Sequence, residues 1–280
     1  MAAISRREFV KTAAASAAAL ATGAAFAQTR TRREIPIGVQ MYILSQPANA
    51  DLAGTLAAVK KAGFEAVEFA GYLKRDAKTL RQHLDDAGLK CCGSHVPGGL
   101  SALTAERLPE TIEFNRTLGN TNLIVPSLGG SNLPKTLDGW TKLAATFSDI
   151  AERAKPAGMK VGFHNHEVEF TPVEGQIPYE YLFTKASRDV YMQVDVGLAA
   201  RAGQDPAALI NKFPGRVVSL HIKEFDPAAP IAEGKMRWQE IIRAAETNPS
   251  IQYYIMEHGR GLDAAVTGIQ DFQKQLAVRG

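Results

Sequence analysis

Two cysteines in 280 residues, adjacent at Cys91-Cys92, are too few for a disulfide-stapled scaffold. Neighbouring cysteines bridge only with strained geometry, so this pair, set in an apolar stretch, reads as two buried free thiols. The chain also lacks a membrane span: its best candidate, residues 12–27, is 16 residues of mostly alanine, short of the roughly 20 that cross a bilayer. Charge of one sign is scarce. Of the formal +3, Arg6, Arg7 and Lys11 against Glu8 account for +2, and the nearly neutral remainder has no concentrated basic face for nucleic acid. Neither a P-loop nor a G-x-G-x-x-G after the first strand is present, so Gly98-Gly99 and Gly129-Gly130 carry no nucleotide signal. With 45% apolar and 22% charged residues the chain is neither disordered, collagen-like nor a coiled coil, and it is long enough for one sizeable core.

What is present begins with Ser5-Arg6-Arg7-Glu8-Phe9-Val10-Lys11, followed by an Ala-, Ser-, Leu- and Thr-rich run that ends in Ala25-Phe26-Ala27. This resembles a twin-arginine export signal with a small-x-small cleavage site, departing from the commonest form by Val10 in place of leucine. The resemblance implies a signal peptide over residues 1–27, recognition by the twin-arginine export machinery, and a periplasmic mature protein. Residues 28–280 then form a single domain.

That domain alternates strand and helix. Short apolar strands are expected at 36–42, 66–69, 89–95, 122–125, 160–164, 190–195, 217–222 and 251–256. Helices are expected at 52–62, 77–87, 105–118, 137–154, 179–185, 205–213, 236–246 and 262–278, with Gly88 as a helix stop. Eight such units in about 250 residues match a (β/α)8 TIM barrel. The strands are apolar on both parities, as strands between a packed interior and a helical shell must be. An open doubly wound sheet is the competing architecture.

In a barrel of this kind chemistry sits at the carboxyl ends of the strands, where the loops converge on one mouth. Those ends carry Glu68, His95, His164-Asn165-His166, Asp195, His221 with Lys223, and Glu257-His258, which include five of the six histidines. Imidazoles and carboxylates arriving from separate strands form a ligand inventory for Zn2+, Mn2+, Co2+ or Fe2+ and disfavour Ca2+.

The motifs Gly162-Phe163-His164-Asn165-His166-Glu167-Val168-Glu169-Phe170, Val194-Asp195-Val196-Gly197, His221-Ile222-Lys223-Glu224 and Met256-Glu257-His258 resemble, in order and spacing, the xylose-isomerase-like barrels of the sugar isomerase and epimerase superfamily. The likeness runs over nearly all of residues 36–278. It implies one divalent ion held by Asp195, His221 and Glu257 plus a strand-five residue. Relatives place a glutamate there; this chain has His164 after Val161-Gly162-Phe163, with His166 on the same side if the strand continues. His164 is the expected ligand, with His166 as the alternative.

The expected reaction is isomerisation or epimerisation of a sugar or sugar-like ketose or aldose through an enediolate. Glu257, His166 and, further down the order, Glu68 are candidates for proton transfer, and Lys223 is a candidate donor to a substrate oxygen. His95, His166, Lys223 and Trp238 are candidate substrate contacts, Trp238 as an aromatic wall against the ring. Lys223 reads equally as the partner of Glu224 or Asp226, and Glu167 with Glu169 as one solvated acidic edge. A metal-dependent dehydratase or a lyase that cleaves oxidised glycosides is the nearest alternative, and a non-catalytic carbohydrate-binding protein is the alternative of another class. The sequence leaves homo-oligomer formation open.

Overall fold

The computed structural model describes residues 33–231 and 233–278; the expected export signal falls outside them. Eight parallel strands close on themselves in chain order: β1 Ile37–Gln40, β2 Ala66–Ala70, β3 Lys90–His95, β4 Asn122–Val125, β5 Lys160–His164, β6 Val190–Asp195, β7 Val217–Ile222 and β8 Tyr253–Met256, with β8 paired to β1. This is the (β/α)8 barrel expected of the sequence. The helices are α1 Ser45–Ala50, α2 Leu52–Lys61, α3 Ala77–Ala87, α4 Leu108–Leu118, α5 Leu137–Ala154, α6 Pro178–Lys185, α7 Val196–Arg201, α8 Pro206–Lys212, α9 Trp238–Thr247 and α10 Leu262–Ala277.

Helix ends follow local chemistry. Asp51, Asp76 and Thr136 accept the orphan amides of Gly54, Thr79 and Gly139 at the starts of α2, α3 and α5, and Gly88 ends α3 in the left-handed region at φ 65°. Helix α4 begins at Leu108, three residues later than its periodicity suggests, with Pro109 in its first turn. Two short helices went unforeseen. One of them, α7, starts directly on strand β6 because the Asp195 carboxylate caps it through the Leu198 amide.

The main core lies between strands and helices, where Phe69, Phe147, Phe163, Phe183 and Phe272 are fully buried. Inside the barrel the side chains form separate layers, Ala66, Cys92 and Ile255 in one and Ile124, Tyr191 and Val218 in another. Both cysteines are buried free thiols, and burial pushes the Cys91 thiol up to about 12. Tyr191 fills the interior only because its strand neighbour is Gly162: a Cβ there would stand 2.3 Å from the ring. Gly162→Ala is therefore expected to destabilise the barrel by about 1–3 kcal/mol, the usual cost of overpacking. Chemical denaturation measures it, and an unchanged midpoint would contradict this packing.

Candidate metal centre

Above the apolar layers the barrel interior turns polar. Glu68, near the end of β2, is fully buried. Its Oε1 accepts from Gln40 Nε2 at 2.6 Å and His221 Nε2 at 2.7 Å and lies 3.1 Å from His95 Nε2, and its Oε2 accepts from Gln193 Nε2 at 2.7 Å. Space for this carboxylate comes from Gly93, where a Cβ would lie 2.5 Å from Glu68 Oε2. Burial by itself would raise the Glu68 pKa; the charges and hydrogen bonds of His95 and His221 outweigh it and hold the group at about 2.

A carboxylate only accepts, so the Gln193 amide must turn its NH2 toward Glu68, with Ser219 Oγ at 2.9 Å as its other partner. Gln193 Oε1 is then left facing His95 Nε2 at 2.7 Å and His164 Nδ1 at 3.1 Å, and both nitrogens must donate. His164 is uncharged, because burial first and the neighbouring His221 and His95 second push its pKa well below the ordinary value. The network therefore assigns it the Nδ1–H tautomer, which leaves Nε2 with a free lone pair.

His164, Asp195, His221 and Glu257 each bring one ligand atom to a group whose members lie within 4.8 Å of one another. Two imidazoles and two carboxylates suit a divalent transition metal, whose identity this donor set leaves open. His95, His164 and His221 form a second close trio, but His95 Nε2 donates to Gln193 and His221 Nε2 to Glu68. The quartet is the set that also brings carboxylates. His221 presents Nδ1 to Glu257 Oε2 at 2.9 Å. Burial disfavours a charged His221 imidazole, yet Glu68 and Glu257 on either side push its pKa up to about 10. Lys223 Nζ lies 2.9 Å from both Asp195 Oδ2 and Glu257 Oε2, and Glu257 is held well below the usual carboxylate range against the effect of its own burial. Two carboxylates drawn round one cation are what the proposed ion requires of this site.

The expected site residues divide by placement. His166 is half-buried and stands edge-on to His164, ring centroids 5.1 Å apart, with Nδ1 buried and without a hydrogen-bond partner. Asn165 points the other way and ties β5 to β6 by accepting the Asp195 amide at 2.9 Å. His95 stacks on His221 with ring centroids 5.4 Å apart. Lys223 pairs with Asp195 and Glu257 rather than with Glu224 or Asp226, and Glu68 is present as the hub of the network with its oxygens already occupied.

Trp238 requires correction. It is 4% exposed in the first turn of α9, its ring edge-on to Phe272 and its Nε1 donating to Glu224 at 3.1 Å, so it offers no wall to a sugar. The acidic edge also divides: Glu167 is exposed and pairs with Arg201, whereas Glu169 is buried and accepts the His166 amide at 2.8 Å. His258 turns to the loop after β7, bonding the Ala229 carbonyl at 2.8 Å.

Gln40, Gln193, Ser219 and Glu224 escaped the sequence reading. Gln193 and Ser219 each stand two residues before a strand-end candidate ligand, Asp195 and His221, and strand alternation puts such pairs on one face. Glu224 gave no such signal: its buried carboxylate accepts the Phe225 and Met236 amides at 2.9 Å and folds the following loop about itself.

The xylose isomerase-like TIM barrel family matches residues 56–275. The chain belongs to that family. An L-ribulose 3-epimerase of Mesorhizobium japonicum is 31% identical over 210 residues, 67% of this chain and 69% of that protein. Inosose dehydratase of Lacticaseibacillus casei is 25% identical over 180 residues, 58% of this chain; the chain spans 60% of that relative's length. The crystal structure of a sugar phosphate isomerase/epimerase from Parabacteroides distasonis superposes with a TM-score of 0.75 at 25% identity, covering 89% of this chain and 96% of that one.

In this family member Glu68→Gln sets an amide NH2 among the donors that now point at a carboxylate. Stability should fall by about 3–5 kcal/mol, as when one partner of a buried ion pair is removed. Because the folded-state pKa of Glu68 lies near 2, below the ordinary 4.5, its contribution is full above that ordinary value and is lost as pH falls toward 2. Denaturation across this range should show a smaller acid dependence in the variant; equal curves would contradict the assignment.

Proposed function

We propose that the protein is a divalent-metal-dependent isomerase or epimerase of a sugar or sugar-like ketose or aldose, working by removal and return of a proton beside the carbonyl. The observation that carries this reading is the convergence of His164, Asp195, His221 and Glu257 at the barrel mouth. When bound there, Mn2+, Zn2+ or Co2+ would supply Lewis acidity toward a carbonyl and its neighbouring hydroxyl.

The protein's own groups handle the proton. Glu257, kept ionised by His221 and Lys223, is the first candidate base. His166 is the second proton-transfer group, because its ring stands beside His164 with an unpartnered nitrogen. Lys223 donates to a substrate oxygen. His95 holds the floor of the site, and Glu68, with its lone pairs occupied, keeps the imidazoles in register.

A dehydratase is the second reading. Two things favour it: His164 stands where related epimerases are expected to place a glutamate, so a symmetric pair of carboxylates is missing, and several relatives bear the name inosose dehydratase. Product analysis with ketoses, inososes and 3-keto glycosides separates the two, since isomers conserve mass while elimination releases water or an alcohol. In either case Glu257→Gln should lower kcat by about 10^2–10^4-fold, the usual range for a general acid or base. Turnover near that of the wild type would sink the role of Glu257, and tight sugar binding without turnover would favour a carbohydrate-binding protein.

Residues 1–27 are proposed as the export signal and the periplasm as the destination. Among the described residues no helix is long and apolar enough to cross a membrane. Cell fractionation should place the shortened chain in the periplasm and retain the Arg6→Lys, Arg7→Lys double variant in the cytoplasm. Equal distribution of the two would refute export by this route.

A further inference from the structure

Asp195 has two carboxylate oxygens, and Oδ1 is already used: it accepts the Leu198 amide at 2.8 Å and caps α7. Oδ2 is the oxygen left over, and Lys223 Nζ lies 2.9 Å from it. The same ammonium lies 2.9 Å from Glu257 Oε2, the oxygen that also meets His221 Nδ1. Lys223 thus engages one oxygen of each carboxylate in the quartet.

Its backbone has nowhere to retreat. Gly197 packs so closely beneath it that a Cβ would come within 2.8 Å of the Lys223 and Glu224 carbonyl oxygens. Beyond it, Glu224 pins the next turn through the Phe225 and Met236 amides. The mobile part is the side chain, a flexible four-carbon stem that is 18% exposed at the mouth.

We propose that Lys223 and the divalent ion are rivals for Asp195 Oδ2, so that metal uptake expels the ammonium from the carboxylates and turns it toward substrate oxygens. The inference rests on the metal reading above and adds an order of events, metal before sugar. A doubly charged and a singly charged cation on one buried carboxylate oxygen repel each other strongly, and the one on a flexible stem is free to move. Lys223 then has two duties. It neutralises Asp195 and Glu257 until metal arrives, and it becomes a substrate donor once displaced.

The test uses the purified protein, stripped with a chelator and titrated with Mn2+ by calorimetry alongside Lys223→Met, which keeps much of the stem and removes the charge. The variant should bind Mn2+ at least tenfold more tightly. Reductive methylation of the wild type, followed by peptide mass mapping, should label Lys223 several-fold faster with Mn2+ than without, while other lysines keep their rates. That second measurement decides the matter if the variant fails to fold. Mn2+ binding with an unchanged Lys223 labelling rate overturns the rivalry and leaves the metal site standing, whereas no uptake of Mn2+ by the wild type overturns both.

Discussion

The candidate site depends on one buried carboxylate. Taking Glu68 out of water costs several kcal/mol, and the barrel offsets this with donors from β1, β6 and β7 and with His95 of β3 at 3.1 Å. Hydrogen bonds to a charged group contribute roughly 1.5–3 kcal/mol each, so the set is large enough to compensate. Orientation follows from that compensation. Glu68 accepts and never donates, so it sets the Gln193 amide, which sets His164; it also holds His221 by Nε2 and so leaves Nδ1 for the mouth. Proton positions at the candidate ligands are thus set by residues behind them.

The barrel makes this economical. Closing eight strands brings residues far apart in the chain, such as Glu68 and His221, to within 2.7 Å without any helix having to carry a ligand. Irregularities help at two points: the register shifts between Val67 and Glu68 against β3, and between Met192 and Gln193 against β7, both beside members of the network. Gly93 and Gly197 mark where bulk is forbidden, the first by Glu68 and the second by the backbone after His221. The proposed substrate chemistry falls to Glu257, His166 and Lys223.

Much of this was legible in the chain. Period and punctuation give the eight units, and polar residues that interrupt apolar runs give the strand-end inventory, from which the resemblance to the sugar isomerase and epimerase superfamily singles out Asp195, His221 and Glu257 as candidate ligands beside His164. Short helices such as α7 were not legible: its cap is Asp195, which in one dimension looks only like a strand-end ligand. Trp238 looked like a sugar platform because composition says nothing of which way a first-turn side chain faces; the buried carboxylate of Glu224 claims its indole N–H. Glu169 likewise shares a parity with Glu167 only while the chain stays extended, and the turn at Val168–Phe170 folds it inward. Gln40 and Gln193 read as ordinary polar residues until the partner that satisfies them arrives from another strand.

The most direct test of the account is a crystal structure of the Mn2+-soaked protein, with anomalous scattering used to locate the ion and high-resolution data to resolve its bonds. One ion is expected, held by His164 through Nε2, His221 through Nδ1, Asp195 through Oδ2 and a Glu257 oxygen, with Gln193 still bridging Glu68 and His164. An ion bound through His95 or His166 in place of His164, or no ion at the mouth, would contradict it.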